Sequence, residues 1–180
     1  GRKGNAFYAM KGVPLNVLQV THQKFMANKE LSELYSIINT LDDVEICIAT
    51  DADADGNRIC GLVTVFMNKY FPEKISEGKL RVLKTPLALG RKGKEVKEWA
   101  YTFQEVNKIS SNLTINYVKG LGSWSEKDLK LIIDKEGINK MLPTVKIDNP
   151  DLLYNWFSGS TSEFRKDQIR VAKPFDINGV

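Results

Sequence analysis

"IATDADADGN", residues 48–57, sets three aspartates two apart directly behind an apolar run. Asp51, Asp53 and Asp55 are separated only by Ala52 and Ala54, and Gly56 follows. Three carboxylates this close repel one another and favour protonation of at least one, unless a cation sits among them. The run before them, Val44 to Ala49 (VEICIA), is rich in β-branched and apolar residues, as in a strand buried on both faces of a parallel sheet. After Gly56 the period changes. Ile59, Leu62, Val63, Phe66, Met67 and Tyr70 recur at three- and four-residue spacing, which predicts a helix ending near Phe71-Pro72. The aspartates therefore occupy a strand-to-helix turn at the carboxyl end of a strand, where open α/β sheets place their sites.

Working outward, Leu31, Leu34, Tyr35, Ile38 and Leu41 predict a second amphipathic helix with Asn28 as its cap. It would join a first strand near Ala6 to Met10 with the Val44 strand in a βαβ unit. Leu80 to Thr85 (LRVLKT) reads as a further strand closed by Pro86, and Glu98 to Phe103 (EWAYTF) as a segment that pairs with its neighbours. Leu113 to Val118 (LTINYV) reads as another strand. Gly90 to Lys97 (GRKGKEVK) is basic and glycine-containing, a solvated hairpin or loop. Ser125 with Asp128 resembles a capping box with the shorter acid, opening a helix whose buried stripe is Leu129, Ile132 and Ile133. Beyond Pro143 the pattern is irregular, with a short helix around Leu152 to Phe157 and a frayed end from Lys173 to Val180. The expected organisation is one α/β domain over 1–142 and a short irregular, helical C-terminal appendage over 143–180.

A chain of 180 residues, 42% hydrophobic and 27% charged, suits one domain with a self-supporting core. No apolar run approaches the roughly 18 residues that cross a bilayer, and the N-terminus lacks a signal-peptide apolar region. The expectation is a soluble, cytoplasmic protein with no membrane partner. Cys47 and Cys60 read as reduced core thiols. The net charge of +4 permits a polyanionic partner without requiring one.

The cation among the aspartates is constrained by spacing. A calcium loop of the helix-loop-helix kind needs a bidentate Glu twelve positions from the first aspartate; counting from Asp51, Leu62 stands there. The strand-like flank before Asp51 also disagrees. An aspartate-rich turn in solvent is the plainer alternative. Against it, three carboxylates leaving an extended strand at i, i+2 and i+4 would point to one side and the alanines to the other. Magnesium takes a few carboxylates and keeps waters and phosphate oxygens. Acids at the mouth of a parallel sheet thus suggest phosphoryl transfer on nucleic acid or nucleotide.

The strand ending in T-D-A-D-A-D-G, followed by an apolar helix, resembles the acidic motif of the TOPRIM fold in type IIA DNA topoisomerases. Other stretches match in order. "AMKGVPLNV" (Ala9 to Val17) is similar to that family's P-L-[KR]-G-K-x-L-N-V segment through Lys11, Gly12, Leu15, Asn16 and Val17. "KTPL" (Lys84 to Leu87) is similar to a strand end, and "YVKGLGS" (Tyr117 to Ser123) to the Y-K-G-L-G segment. "LLYNWFSGSTSEFRKDQI" resembles the tail after TOPRIM in the large, gyrase-B-like subunit. The run from Lys84 to Val106 is most similar to T-even-type phage topoisomerases.

That resemblance implies a Rossmann-like parallel sheet flanked by helices. It implies Mg²⁺, with Mn²⁺ able to substitute, held by Asp51 (bridging two ions), Asp53, and Asp55 at longer range or through water. Asp51 and Lys119 would be catalytic; Lys11, Lys119 and Arg58 would contact DNA, and Gly120 and Gly122 would allow a tight turn. Partners would be double-stranded DNA and a tyrosine-bearing breakage-reunion subunit, in a hetero-oligomer that uses ATP in a domain absent from this chain. If phage-encoded, it would work in the bacterial host cytoplasm. The family's site also uses a glutamate from an E-G-x-S-A segment, expected upstream of Gly1. No such context surrounds the tyrosines here, so they read as core or surface residues. His22 reads as a surface histidine and Trp124 as a packing residue. The rival expectations are a stand-alone TOPRIM nuclease or primase, and a non-catalytic docking module.

Overall fold

The computed structural model describes residues 4–171, so the expected frayed end at Lys173 to Val180 lies outside the described residues. Short polar side chains start its main helices. Thr21 caps α1 (His22–Ala27), and Asn28 caps α2 (Lys29–Thr40) by accepting from Leu31 N. β1 (Ile46–Ile48) follows, then α3 (Ala54–Tyr70) and α4 (Pro72–Ser76), whose proline opens it. β2 (Leu80–Val82) pairs parallel with β1, matching Ile46 to Leu80 and Ile48 to Val82. β1, α3–α4 and β2 thus form a βαβ unit, in place of the one expected through α2.

Val17, Phe25, Leu31, Ile38, Ile48, Phe66, Met67 and Leu80 bury their side chains between α1, α2, α3 and the two strands. Each contributes about 1.5–3 kcal/mol by leaving water. Phe25 stacks on Tyr70 with ring centroids 4.6 Å apart, and Tyr35 meets Tyr70 edge-on at 5.5 Å. This is the helix-face pattern expected from the periodicity of both segments, except that Leu41, expected on the α2 stripe, lies just past the helix end and is exposed.

A second sheet is antiparallel. β3 (Ala88–Lys92) lies between β4 (Glu95–Ala100) and β5 (Thr114–Tyr117), with the short α5 (Phe103–Val106) between β4 and β5. The basic Gly90 to Lys97 segment is the β3–β4 hairpin. α6 (Glu126–Glu136) and α7 (Ile138–Met141) cover this sheet, burying Ile132 and Met141 with Leu89 and Val96.

The chain around residue 142 knits these parts together. Val82 N donates to Pro143 O and Val145 N to Leu80 O, adding residues 143–145 antiparallel to β2. α8 (Pro150–Phe157) then lies on α3, with the Phe157 ring where a side chain at Gly61 would stand: a Cβ there would be 2.6 Å from the ring. Asn16 Nδ2 and Gln19 Nε2 both donate to Phe157 O, at 2.7 and 3.0 Å. Arg165 of α9 (Ser162–Val171) donates to Ser158 O at 2.6 Å. No helix among the described residues is long and apolar enough to cross a membrane.

Three local expectations are corrected. The strand expected at Ala6 to Met10 does not form; Tyr8 and Met10 are half-buried and Phe7 and Ala9 exposed, but no backbone ladder joins them to β1. The segment is held instead by side chains, Tyr8 Oη donating to Glu30 O and Lys11 N to Glu30 Oε1. β1 is buried on one face only: Ile46 and Ile48 face the core and Cys47 is exposed, because helices pack on a single side. At α6 only half of the capping box exists. Ser125 Oγ accepts from Asp128 N, while the Asp128 carboxylate turns to Arg91.

Candidate functional site

The parallel strands end at Ile48 and Val82, and the acids begin three residues after the first of these ends. Asp53 is the N-cap of α3, its Oδ1 accepting from Gly56 N at 2.7 Å. Gly56 is packed against the Asp51 backbone so closely that a Cβ would lie 2.0 Å from Asp51 O. The glycine of D-x-D-x-D-G is therefore fixed by the tightness of the strand-to-helix turn.

Asp51 is held from the far side of the fold. Its Oδ1 accepts from Leu121 N at 2.8 Å, and Gly120 sits against the same carboxylate, where a Cβ would be 3.0 Å from Oδ1. The K-G-L-G segment forms a 3-10 turn at Leu121–Ser123, closed by Ser123 N donating to Gly120 O. Two motifs 70 residues apart thus meet at one carboxylate. Lys119 stands exposed one residue before that contact.

Asp51 opens onto a cleft of about 700 Å³ that also takes in Asn57, Cys60, Lys84, Tyr101 and Phe103. Lys84 Nζ lies 5.5 Å from the Tyr101 ring, and Tyr101 Oη donates to Glu136 at 2.6 Å. Burial and then that carboxylate push the Tyr101 hydroxyl well above its ordinary value, so it stays protonated. Lys84 is the cation in this cleft that sequence reasoning did not assign; the K-T-P-L stretch was its signal.

The other expected DNA contacts are spread out. Arg58 is exposed on α3 and lines a separate cleft of about 620 Å³ with Asn16, Trp156 and Arg165. Lys11 is exposed beside α2, its backbone tied to Glu30. His22 is exposed and neighbours Phe25, and Trp124 packs with the α6 core.

The side-by-side arrangement of three carboxylates is corrected. β1 ends at Ile48, Ala52 and Asp53 bend, and α3 begins at Ala54, so the two-residue alternation expected of the three aspartates is not kept. Among the described residues, no three acids, histidines or cysteines come together as a metal cage. The donor chemistry nonetheless suits magnesium, since exposed carboxylate oxygens can hold a hard cation that keeps most of its waters.

These features define an α/β protein with an acidic turn at the mouth of a parallel sheet, clamped by a glycine-rich turn. No family model matches the chain. It is 30% identical over 135 residues to the DNA topoisomerase small subunit of Enterobacteria phage T4, covering 72% of this chain and 80% of that one. It is 30% identical over 149 residues to DNA topoisomerase 2 of Bombyx mori, and 28% over 150 residues to DNA topoisomerase 2-beta of Mus musculus. The chain spans only 10% and 9% of the length of those two proteins. Its fold matches the Plasmodium falciparum topoisomerase II DNA-binding, cleavage and re-ligation domain with a TM-score of 0.74 at 24% identity, over 90% of this chain and 25% of that one. The chain belongs to the type II DNA topoisomerase family. The phage relative is named a small subunit, where the sequence resemblance pointed to the large one.

Proposed function

We propose that this chain is the metal-binding TOPRIM part of an ATP-dependent type IIA DNA topoisomerase, serving double-strand cleavage and religation by a tyrosine of a partner subunit. The reading rests on one observation above all: the K-G-L-G turn grips the Asp51 carboxylate at the end of the parallel strands. A solvated acidic turn needs no such clamp. ATP is bound in another domain, the assembly is a hetero-oligomer on duplex DNA, and a phage-encoded enzyme works in the bacterial cytoplasm.

Asp51 and Asp53 would hold Mg²⁺, with Asp55 nearby and Mn²⁺ as a substitute. When bound, the ion supplies charge neutralisation at the scissile phosphate and its leaving oxygen. The chain's own groups do the rest. The Leu121 amide fixes one Asp51 oxygen and so orients the carboxylate. The Asp53 cap aligns the start of α3, whose amide dipoles favour an anion. Lys119, beside the clamp, and Lys11 supply positive charge to the DNA backbone, and Arg58 does so from the next turn of α3.

The test is calorimetric titration of Mg²⁺ and Mn²⁺ into this chain and into one extended upstream through the glutamate segment, together with DNA cleavage by the reconstituted enzyme. Metal binding that Asp51→Ala removes, with cleavage lost in parallel, is expected. Full cleavage by the Asp51→Ala and Asp53→Ala enzymes would sink the catalytic reading and leave a docking module.

A further inference from the structure

The β3–β4 hairpin is the basic motif that the acidic site does not use, and its construction is unlike that of a solvated loop. A bulge between Gly90 and Arg91 shifts the register of the β3–β4 pairing where Arg91 meets α6. There Arg91 Nη2 donates to Asp128 Oδ2 at 2.6 Å, and Nη1 reaches around to Lys94 O at 3.1 Å. Gly93 turns the tip at φ +61°. A nearly buried ion pair and a side-chain bond to the tip carbonyl therefore hold a short exposed turn in one shape.

What that frame presents is charge. Glu95 is paired with Lys97 at 2.7 Å and Asp128 with Arg91, so the tip's own acids are already matched. Lys92 stands opposite Glu95 across the hairpin and Lys127 faces the same carboxylate, so three lysines share one acid there, and Lys94 adds a further exposed cation at the tip. Residues 92 to 95 are all exposed, and no large apolar side chain is exposed between 91 and 97. A protein interface needs an apolar centre, and single-stranded nucleic acid needs aromatic platforms; Trp99, the ring on β4, lies under Lys135. The phosphate backbone of a duplex needs only positioned cations.

We infer that this hairpin, with Lys127, is a sequence-independent contact to duplex DNA phosphates, separate from the acidic turn. The inference rests on the reading that the chain works on DNA. Through Asp128 it also ties the DNA contact to the helix that follows the K-G-L-G turn.

The test is binding of a labelled 30-base-pair duplex to the full chain by fluorescence anisotropy across NaCl concentrations. The variants are Lys92→Gln/Lys94→Gln/Lys127→Gln, Lys97→Gln and Lys11→Gln/Lys119→Gln. The substituted side chains are exposed, so circular dichroism should be unchanged. Expected is a fall of about 2–3 in the log–log salt slope for the triple variant, with affinity down about tenfold, and a much smaller change for the already paired Lys97. An unchanged slope in the triple variant, with weakened binding in Lys11→Gln/Lys119→Gln, overturns the hairpin proposal and leaves the functional reading intact. Duplex binding absent from the wild-type chain overturns the proposal, while cleavage by the reconstituted enzyme judges the functional reading independently. Polyglutamate bound as tightly as DNA by the same three lysines also overturns it, in favour of an acidic protein surface.

Discussion

The Leu121 amide donates 2.8 Å to the Asp51 carboxylate, and Gly120 leaves room for that carboxylate to lie flat against the turn. Substituting Gly120→Ala puts a methyl 3.0 Å from Asp51 Oδ1. Its φ of −174° suits any residue, so the backbone is not strained. The exposed carboxylate should move aside, leaving stability within about 1 kcal/mol of wild type. Metal-dependent cleavage by the reconstituted enzyme should fall at least tenfold, read as cleaved DNA against Mg²⁺ concentration.

Gly56→Ala is expected to behave in the opposite way. Its Cβ would meet the Asp51 carbonyl oxygen at 2.0 Å, and backbone on both sides cannot yield cheaply. A loss of about 1–3 kcal/mol or more is expected, measured by urea unfolding.

Asp53 has two roles that two substitutions separate. Asp53→Ala removes the cap on Gly56 N and should cost about 1 kcal/mol. Asp53→Asn keeps a capping oxygen and should retain nearly all the stability, while losing metal affinity through its missing charge. Equal metal affinity in Asp53→Asn and wild type would remove Asp53 from the ligand set.

Arg91 and Asp128 make stability depend on acid. Burial alone would raise the Asp128 carboxyl, but Arg91 and Ser125 outweigh it and hold it below its ordinary value near 3.8. A depressed carboxylate stabilises the fold fully above that ordinary value and loses its contribution as pH falls through the lower folded value. The urea midpoint of wild type should therefore drop below pH 4 more steeply than that of Asp128→Asn. Parallel curves for the two proteins would show that the pair contributes nothing to acid stability.

Phe157 and Gly61 should couple. Phe157→Ala strips the ring from α3 and should cost about 1–3 kcal/mol, since the ring is half-buried. Gly61→Ala puts a Cβ 2.6 Å from the same ring. In the double variant the clash has no partner, so the combined loss should be smaller than the sum, as thermal unfolding of all four proteins would reveal.

Local signals were most readable where one residue's chemistry decided them. Asn28 and Ser125 cap helices as their side chains suggested, and the α2 and α3 stripes, Leu41 apart, fill the core. The strand expected at Ala6 to Met10 failed because a short stretch of sequence does not say whether a neighbouring strand is there to pair with. Cys47 misled because a run of β-branched residues does not say whether one or two faces are covered. At the site, all three aspartates were evident, but the helix start at Ala54 was not, and it separates Asp55 from the others. The clamp on Asp51 comes from a backbone amide, a group every residue carries, so no side-chain pattern announces it.

The two amides that seize the Phe157 carbonyl reach across 141 and 138 residues of chain. Closing loops of that length is entropically slow and is rewarded only after the intervening core exists. Those two bonds are therefore late arrivals in folding. During synthesis they wait until residue 157 has left the ribosome, although Val17 between them can join the core, and Lys69 reach its carbonyl, much earlier.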